Sequence, residues 1–386
     1  MNGFLDVFVN ALSNLGQGFQ ELTWQPVVMI LIGCLLLYLG IGRKTEPLLL
    51  VPIGFGVVLG NLPLANLSAE ADGIIKLLYD VGIRTELFPV LLFIGLGAMI
   101  DFGPLLANPG VLIFGAAGQF GIFLTLLLAL WLGFDKPEAV SIAIIGACDG
   151  PTAIYVTNRF ARDLLPAVSI AAYSYMSLVP IIQPPIMRLL TTKKERQTVM
   201  PSAEKQISKK VRILFPIVAS IVTILIAPMG APLMGMLMLG NVLKESGVVG
   251  RLVDVSQNTM ANIVTLLLGL CIGASMLAGS FLRWDTILIF ALGLIAISLD
   301  TVTGVLIGKL MRVISKGKIN PLLGAAGTSA FPMSARVVQR EGQRANPRNF
   351  LLWHAVGANT GGQIGSVMAA AVMLAIMSGL GIGPVG

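Results

Sequence analysis

The chain consists mainly of long apolar stretches separated by short polar turns. A full membrane crossing needs about 20 apolar residues, and most stretches come close to that length. The pattern predicts twelve helical segments, at 25–42, 47–64, 86–100, 109–133, 137–158, 165–190, 211–229, 231–246, 260–280, 285–310, 319–337 and 350–378. We therefore predict an all-α polytopic membrane protein.

Two of these segments are interrupted by residues that break helices. Segment 137–158 contains Asp149 followed by Gly150 and Pro151, and segment 319–337 contains a run of small residues that ends at Pro332. Lipid offers no hydrogen bonds to a freed backbone group or to a carboxylate, so such a break must be satisfied within the protein. We expect two broken or re-entrant hairpins of the kind that bind ions in transporters.

The two halves of the chain resemble each other around Gly and Pro positions. Pro52, Leu59, Gly60 and Asn61 match Pro232, Leu239, Gly240 and Asn241; Gly97 and Ala98 match Gly273 and Ala274; Gly146, Pro151, Arg159 and Pro166 match Gly327, Pro332, Arg340 and Pro347. Chance matching among apolar residues is the alternative, but the collinear order of these matches argues against it. The pattern predicts two structural repeats and a transporter-like fold.

The charged loops then indicate topology and domain bounds. The long polar stretch 191–212 carries seven basic residues against two acidic ones, which is typical of a cytoplasmic loop. If both interrupted segments are re-entrant, each half has five crossings, the repeats are inverted and most basic loops lie inside. The predicted parts are an interfacial segment 1–24, a first repeat 25–190, the basic loop 191–212 and a second repeat 213–386.

Composition supports the membrane assignment. Hydrophobic residues make up 55% of the 386 residues and charged residues only 12%, whereas soluble domains average about 25% charged residues. The net charge of +7 therefore reflects inward-facing loops and not a nucleic-acid partner. Cys34, Cys148 and Cys271 lie in apolar surroundings without paired spacing, and we predict three buried thiols.

Asp149 is the main candidate for chemistry, as a sodium ligand or proton acceptor. The alternative is a carboxylate that only caps the helix beginning at Pro151, and one side chain can do both. Asp300, in the middle of an uninterrupted segment, ranks lower because it could equally be a satisfied structural group. Tyr173 and Tyr175 follow Asp149 along the chain, either as interfacial anchors or as groups that handle protons.

The second break and the last segment carry neutral oxygen ligands of the kind that Na⁺ accepts. Asn320, Thr328 and Ser329 lie in the second break, and residues 359–366 place amides among glycines. Close packing of helices through small residues is the alternative for both stretches. Arg336 either marks the cytoplasmic border or holds an anionic carboxylate through a bidentate contact.

These residues resemble the beta subunit of the sodium-pumping biotin-dependent decarboxylases, which act on oxaloacetate, methylmalonyl-CoA or glutaconyl-CoA. The resemblance rests on three motifs and runs over nearly the whole chain. The motifs are Gly146-Ala147-Cys148-Asp149-Gly150-Pro151-Thr152-Ala153, the spaced set Asn320, Pro321, Gly324, Ser329, Pro332 and Arg336, and Asn359-Thr360-Gly361-Gly362-Gln363-Ile364-Gly365. One departure is Cys148, where the family usually has Ala.

The resemblance implies a function and a set of partners. Carboxybiotin would arrive on a biotin carrier protein, and this subunit would decarboxylate it, consume a proton and export Na⁺. A carboxyltransferase alpha subunit, a small single-span membrane subunit and further copies of the chain would complete the assembly in the inner (plasma) membrane of a prokaryote. No nucleic acid is involved.

The resemblance also implies residue roles. Asp149 would be the central sodium carboxylate, with Asn320, Gly324, Ser329 and Asn359 on the ion path. Arg336 would contact carboxybiotin. Tyr175 would handle protons or sodium. The alternative from another class is a sodium-coupled secondary transporter or antiporter with the same broken helices and no decarboxylase chemistry. A purely structural membrane scaffold would explain neither Asp149 nor the paired breaks.

Overall fold

The protein is all-helical in the computed structural model, which describes residues 17–44, 46–70, 72–201 and 207–383. Those residues contain no β-strand. The α-helices are α1 (Gln17–Gln20), α2 (Trp24–Ile41), α3 (Pro47–Gly60), α4 (Ile74–Tyr79), α5 (Leu87–Met99), α6 (Gly103–Ala107), α7 (Leu112–Ala117), α8 (Phe120–Trp131), α9 (Lys136–Ala143), α10 (Gly150–Phe160), α11 (Leu165–Leu190), α12 (Lys193–Arg196), α13 (Lys209–Ile226), α14 (Ala231–Ser246), α15 (Gly250–Asp254), α16 (Ala261–Ala274), α17 (Ala278–Phe281), α18 (Trp284–Ile314), α19 (Met333–Ala345) and α20 (Leu352–Gly379). Short 3₁₀ or π turns at 80–84, 109–111, 144–147, 162–164, 228–230, 255–260 and 321–327 link several of them.

Six helical stretches are long and apolar enough to cross a membrane, and a seventh is possible if the pair Ile74–Arg84 and Leu87–Met99, bent by 60°, is one span. The six are Trp24–Ile41, Pro109–Trp131, Arg162–Leu190, Gly250–Ala274, Trp284–Ile314 and Leu352–Gly379. The all-α polytopic prediction is thereby confirmed. Neither interrupted segment is among these spans. The arrangement of five crossings in each half stays a prediction, and most of the predicted interfacial segment 1–24 lies outside the described residues.

The chain forms two compact units, of which the first contains the described residues up to Leu87 together with Ile263–Thr286. In this unit α3 packs closely against α16. A side chain at Gly60 would overlap the backbone at Ala274, so only glycine permits this approach. Beside it, the amide of Asn61 donates to the carbonyl of Met276 at 2.7 Å and so satisfies a backbone group just past the end of α16.

The second unit contains Phe88–Asn262 and the described residues from Ile287 onward. In it α14 packs against α5 in the same manner as α3 packs against α16. A side chain at Gly240 would overlap the backbone of Ile94 and Ala98, and the amide of Asn241 donates to the carbonyl of Ile100 at 3.0 Å. A glycine crossing followed by an asparagine cap thus occurs once in each unit.

Many apolar side chains lie on the surface of the chain, as expected of helices that face lipid. Of the 18 residues of α13, only Pro216 is buried. The prediction of three buried thiols is wrong for Cys34, which is exposed on α2, whereas Cys148 and Cys271 are buried. An apolar sequence context is shared by lipid-facing and core positions, so it could not separate the two.

An ion pair joins α11 to α19 near the basic loop. Arg188 donates from Nε and Nη2 to the two carboxylate oxygens of Glu341, at 2.7 and 2.6 Å. The Glu341 side chain is only 3% exposed. This bidentate contact lowers the pKa of Glu341 below its ordinary value of 4.5. A carboxylate whose pKa is lowered by folding stabilises the fold above the unfolded pKa and loses that contribution as pH falls through the folded pKa.

We therefore expect Glu341→Gln to lower the thermal unfolding temperature of the purified protein by a few degrees at neutral pH. The difference from wild type should begin to shrink as the pH falls below about 4.5, the unfolded pKa, and should vanish below the lowered pKa of Glu341 in the folded protein. Unfolding temperatures measured across the pH range check this, with Asp163→Asn, which removes an exposed carboxylate, as the control. If the difference in unfolding temperature between Glu341→Gln and wild type stayed constant across that pH range, the charge of Glu341 would not be its cause.

Candidate functional site

The first interrupted segment folds as two short helices joined by a break. A capping box at Asp135 and Glu138 begins α9, which has 8 residues, and α10 has 11 residues. At 1.5 Å per residue they extend only about 12 and 16 Å, so neither crosses a membrane alone. Between them Cys148 adopts a left-handed backbone conformation with φ +53°, and Asp149 is the extended residue before α10.

Asp149 is 4% exposed and is held by three donors. Its Oδ2 accepts hydrogen bonds from Thr152 Oγ1 at 2.6 Å, Gln363 Nε2 at 2.8 Å and Ser366 Oγ at 3.2 Å. Thr152 lies in the first turn of α10, whereas Gln363 and Ser366 come from α20. A buried carboxylate needs such partners because burial removes its hydration. The contacts tie the first break to α20.

The second interrupted segment begins as a 3₁₀ turn, Pro321–Gly327, and continues through extended Thr328 into α19. It also depends on α20. Ser329 Oγ donates to the carbonyl of Gly362 at 2.8 Å, and the amide of Asn359 donates to the carbonyl of Thr328 at 2.6 Å. Residues 359–366, about two turns of α20, thus satisfy polar groups of both breaks.

Two predicted ion-path residues hold the second break in place. Both N–H groups of Asn320 are used, on the carbonyls of Arg196 and Thr198 at 2.9 Å each, and its oxygen accepts from the amide of Leu322 at 3.0 Å. Gly324 lies against α18, where a side chain would overlap the carbonyl of Gly304. Asn320 therefore ties the basic loop to the break, and Gly324 permits close packing.

The side chains of Arg336 and Tyr175 take no part in these hydrogen bonds. Arg336 is exposed in the first turn of α19, and its side chain makes no hydrogen bond or ion pair with the rest of the described chain. Tyr175 donates its hydroxyl to the carbonyl of Phe290 in α18. The aromatic ring that lies against the first break is that of Tyr173, which occupies the space where Gly150 has no side chain.

Asp300 is fully buried and lies close to the first break. Its carboxylate faces the backbone N–H groups of Gly121 and Ile122, in the first turn of α8, but neither oxygen makes a hydrogen bond within the described residues. It also approaches Gly146, just before the break. Asp300, on α18, thus lies close to both α8 and the first break.

Two buried glutamines at the second break did not stand out in the sequence. Gln119 contacts the backbone of Gly327, and Gln183 donates to the carbonyl of Ala325 at 2.9 Å. A single Gln within a long apolar run was the only available signal, and its partners are more than one hundred residues away. The amides at 359–366, by contrast, interrupt an apolar segment, and this pattern indicates them as candidate ligands.

The donor set suits a hard monovalent cation. Within the described residues no group of three His, Cys, Asp or Glu side chains comes together. The available ligands are instead one carboxylate, hydroxyls, amide oxygens and the carbonyls of unwound segments, which are the ligands that transporters offer to Na⁺. Among these, Asp149 and Ser329 contact the same two turns of α20 to which Asn359 belongs.

We expect Gly324→Ala to lower the free energy of unfolding by roughly 1–3 kcal/mol, because the added methyl group overpacks the contact with Gly304. Gly235→Ala is the matched control, since the space around that helical glycine is open. Thermal unfolding of both variants, followed with and without Na⁺, checks this. If Gly324→Ala unfolds as wild type does but loses its response to Na⁺, Gly324 acts on the ion and not through packing.

Comparison with known proteins agrees with the donor chemistry. A family model described as Na⁺-transporting oxaloacetate decarboxylase beta subunit matches residues 25–377. The chain is 50% identical over 377 residues to the glutaconyl-CoA decarboxylase subunit beta of Acidaminococcus fermentans, covering 97% of this chain and 100% of that relative. It is 50% identical over 376 residues to the methylmalonyl-CoA decarboxylase subunit beta of Veillonella parvula, with the same coverage. It is 45% identical over 426 residues to the oxaloacetate decarboxylase beta chain of Klebsiella pneumoniae, covering 95% and 98%.

Proposed function

The chain belongs to the family of Na⁺-transporting decarboxylase beta subunits, and on that premise we propose that it decarboxylates carboxybiotin, consumes a proton and exports Na⁺. It is a multi-pass protein of the inner membrane and a subunit of a sodium-translocating decarboxylase. A plain secondary transporter would share the broken helices, but the relatives named above are all decarboxylase subunits.

The observation that carries the proposal is the meeting of both breaks on α20. Asp149 from the first break accepts from Gln363, and Ser329 from the second donates to Gly362, the preceding residue. Coupling requires that Na⁺ and the chemical step bias the same two-state element. A single helix that contacts both breaks supplies such an element, because movement of either break changes the contacts of the other.

In this proposal Asp149 provides the charged ligand, and Ser329 and Asn359 provide neutral oxygens. Asn359 Oδ1 is buried and has no hydrogen-bond partner among the described residues, so it is available to a cation. Asn320 and Gly324 serve the ion path by positioning the second break. The side chain of Asn320 is already hydrogen-bonded to the basic loop, and Gly324 is already packed against Gly304.

The decarboxylation of carboxybiotin must take up one proton for its atoms and charges to balance. When the N–C bond of carboxybiotin breaks and CO₂ leaves, the electron pair stays on the ureido nitrogen, which then takes up a proton. We propose that Arg336 holds the carboxylate before this step, because its exposed guanidinium has no competing acid partner in the described chain. Tyr175, whose hydroxyl is already ordered on Phe290, is our proposed participant in proton handling.

We further propose that the chain contains two inverted repeats. The sequence match pairs Asn61 with Asn241 and Ala274 with Ala98. The contacts support this pairing. Gly60 packs on Ala274 in one unit, and in the other unit its counterpart Gly240 packs on Ala98, the counterpart of Ala274. The two asparagine caps, at 2.7 and 3.0 Å, correspond in the same way. Such exchanged contacts are expected of repeats that complete each other.

The beta designation of the relatives implies a complex with alpha and biotin carrier subunits. We propose that the carrier reaches the chain from the side of the basic loop 191–212, because that loop is tied through Asn320 to the second break. A small single-span subunit and further copies of this chain complete the proposed assembly.

We expect Asp149→Asn to abolish Na⁺ transport and Na⁺-dependent decarboxylation of carboxybiotin, while the protein still inserts into the membrane. The amide keeps the shape of the side chain but removes the negative charge that a cation needs in a buried site. Uptake of ²²Na⁺ into vesicles and release of CO₂ measure both activities. Asp163→Asn is the control, because Asp163 is exposed at the far end of the same hairpin. Full Na⁺-stimulated activity in Asp149→Asn would remove Asp149 from the mechanism.

Two further variants should separate carboxybiotin from sodium. Arg336→Lys loses a bidentate contact, worth roughly 1.5–3 kcal/mol, and should weaken carboxybiotin use about ten- to a hundredfold. Ser329→Ala should instead raise the Na⁺ concentration for half-maximal activity. Rates measured against each substrate in turn check this, with Arg340→Lys, one turn along the same exposed helix face, as the control. A change in Na⁺ dependence alone for Arg336→Lys would make Arg336 a border residue.

A further inference from the structure

Two adjoining clefts lie between the C-terminal half of α11 and helix α19, and both have Arg188, Glu341 and Arg344 in their walls. The first cleft, of about 260 Å³, is basic, because Lys193 and Arg196 also line it. The second, of about 240 Å³, has an apolar side that consists of Pro180, Ile181, Pro184, Pro185 and Val337. A molecule that fills both clefts needs an anionic part next to an apolar part.

The basic cleft has a surplus of positive charge. Its one acidic side chain, Glu341, is only 3% exposed and has both carboxylate oxygens engaged by Arg188. Lys193 is exposed, and its ammonium group makes no hydrogen bond or ion pair with the part of the chain that the structure describes. Arg344 is 69% exposed and approaches Glu341 only to 3.6 Å. Lys193 and Arg344 are therefore available to an anion.

The C-terminus of α11, which carries a partial negative charge, is already covered by basic side chains. Arg196 Nη1 donates to the carbonyls of Arg188, at 3.3 Å, and of Thr191. Lys309 donates to the carbonyl of Leu190 at 3.1 Å. The last carbonyls of the helix therefore do not repel an anion in the neighbouring cleft.

The apolar cleft lies on a helix that is long and apolar enough to cross a membrane. α11 belongs to the candidate span Arg162–Leu190, and Ile181, in the wall of the cleft, is 67% exposed. On a membrane-spanning helix such an exposed apolar surface contacts acyl chains, and basic side chains at the end of the helix lie at the level of the headgroups. The two clefts thus follow the order of a phospholipid, from acyl chain to phosphate.

We propose that the two clefts bind one anionic phospholipid, with its phosphodiester in the basic cleft and the start of an acyl chain in the apolar cleft. Basic pockets between helices at the membrane surface bind headgroups of this kind. The bound lipid contacts α11 and α19 together, and α19 follows directly on the second break. This lipid site requires neither Na⁺ transport nor carboxybiotin, so a failure of the proposed function would leave it standing.

The test titrates the whole decarboxylase complex, purified in a neutral detergent, with three probes. Dioctanoyl-phosphatidylglycerol carries the anionic phosphodiester and the chains, glycerol phosphate carries the anion alone, and dioctanoyl-phosphatidylcholine carries the chains with a zwitterionic headgroup. The unfolding temperature of this subunit is read from the amount that stays soluble after heating. We expect only phosphatidylglycerol to raise it, because only that probe fills both clefts with matching chemistry. An equal rise with either other probe would overturn the proposal.

Lys193→Gln and Arg344→Gln remove the two available charges and leave the buried ion pair of Glu341 intact. Each should raise the half-saturating concentration of phosphatidylglycerol about fivefold, the factor expected for one basic side chain beside an anionic headgroup. The double variant should raise it about twenty-fivefold. Lys318→Gln and Arg251→Gln are the matched controls, because both side chains are exposed and neither lines a cleft. Both controls should respond to the lipid as wild type does.

Ile181→Ser tests the apolar cleft. It should weaken the response to phosphatidylglycerol several-fold, because it removes apolar surface that the acyl chain would cover. Leu189→Ser is its control, since Leu189 is 85% exposed on the same helix and lines neither cleft. If Ile181→Ser and Leu189→Ser had equal effects, or if the Lys193 and Arg344 variants responded as their controls do, the lipid site would be overturned.

Discussion

A broken helix inside a membrane has no water to complete its hydrogen bonds, and the second unit is arranged around that constraint. Asp149 and Ser329, one from each break, find their partners on residues 362–366 of α20. Asn359, one turn earlier, takes the free carbonyl of Thr328. The polar groups that α20 supplies are therefore what satisfy the two breaks within the protein.

The same constraint explains why small residues surround the breaks. Carbonyl oxygens can be gathered closely only where side chains are absent, and the glycines of α7, α20 and the second break meet this need. A centre built in this way combines one charge with many weak dipoles. In the proposed function, such a centre would hold a cation long enough to be selective and still release it, which a cluster of carboxylates would not permit.

The sequence was sufficient for some of these features and not for others. Gly and Pro at positions 150, 151 and 332 indicated both breaks, because they act on the local backbone. The partners of Asp149 on α20 could not be assigned individually from the sequence, since contacts across more than two hundred residues leave no local pattern. Gln119 carried no signal for the same reason. Cys34 was misjudged because lipid and protein interior favour the same side chains, so hydrophobicity alone does not indicate which of the two a residue faces.

The paired crossings of α3 with α16 and of α5 with α14 have a consequence for biosynthesis. Each pair joins a helix made early in translation to one made more than one hundred residues later. The glycine faces of α3 and α5 must therefore wait in the bilayer, uncovered, until the second half of the chain has been inserted. Neither half can reach its final packing alone, so folding is completed only late in synthesis, and truncation within the second half should leave both early helices without their partners.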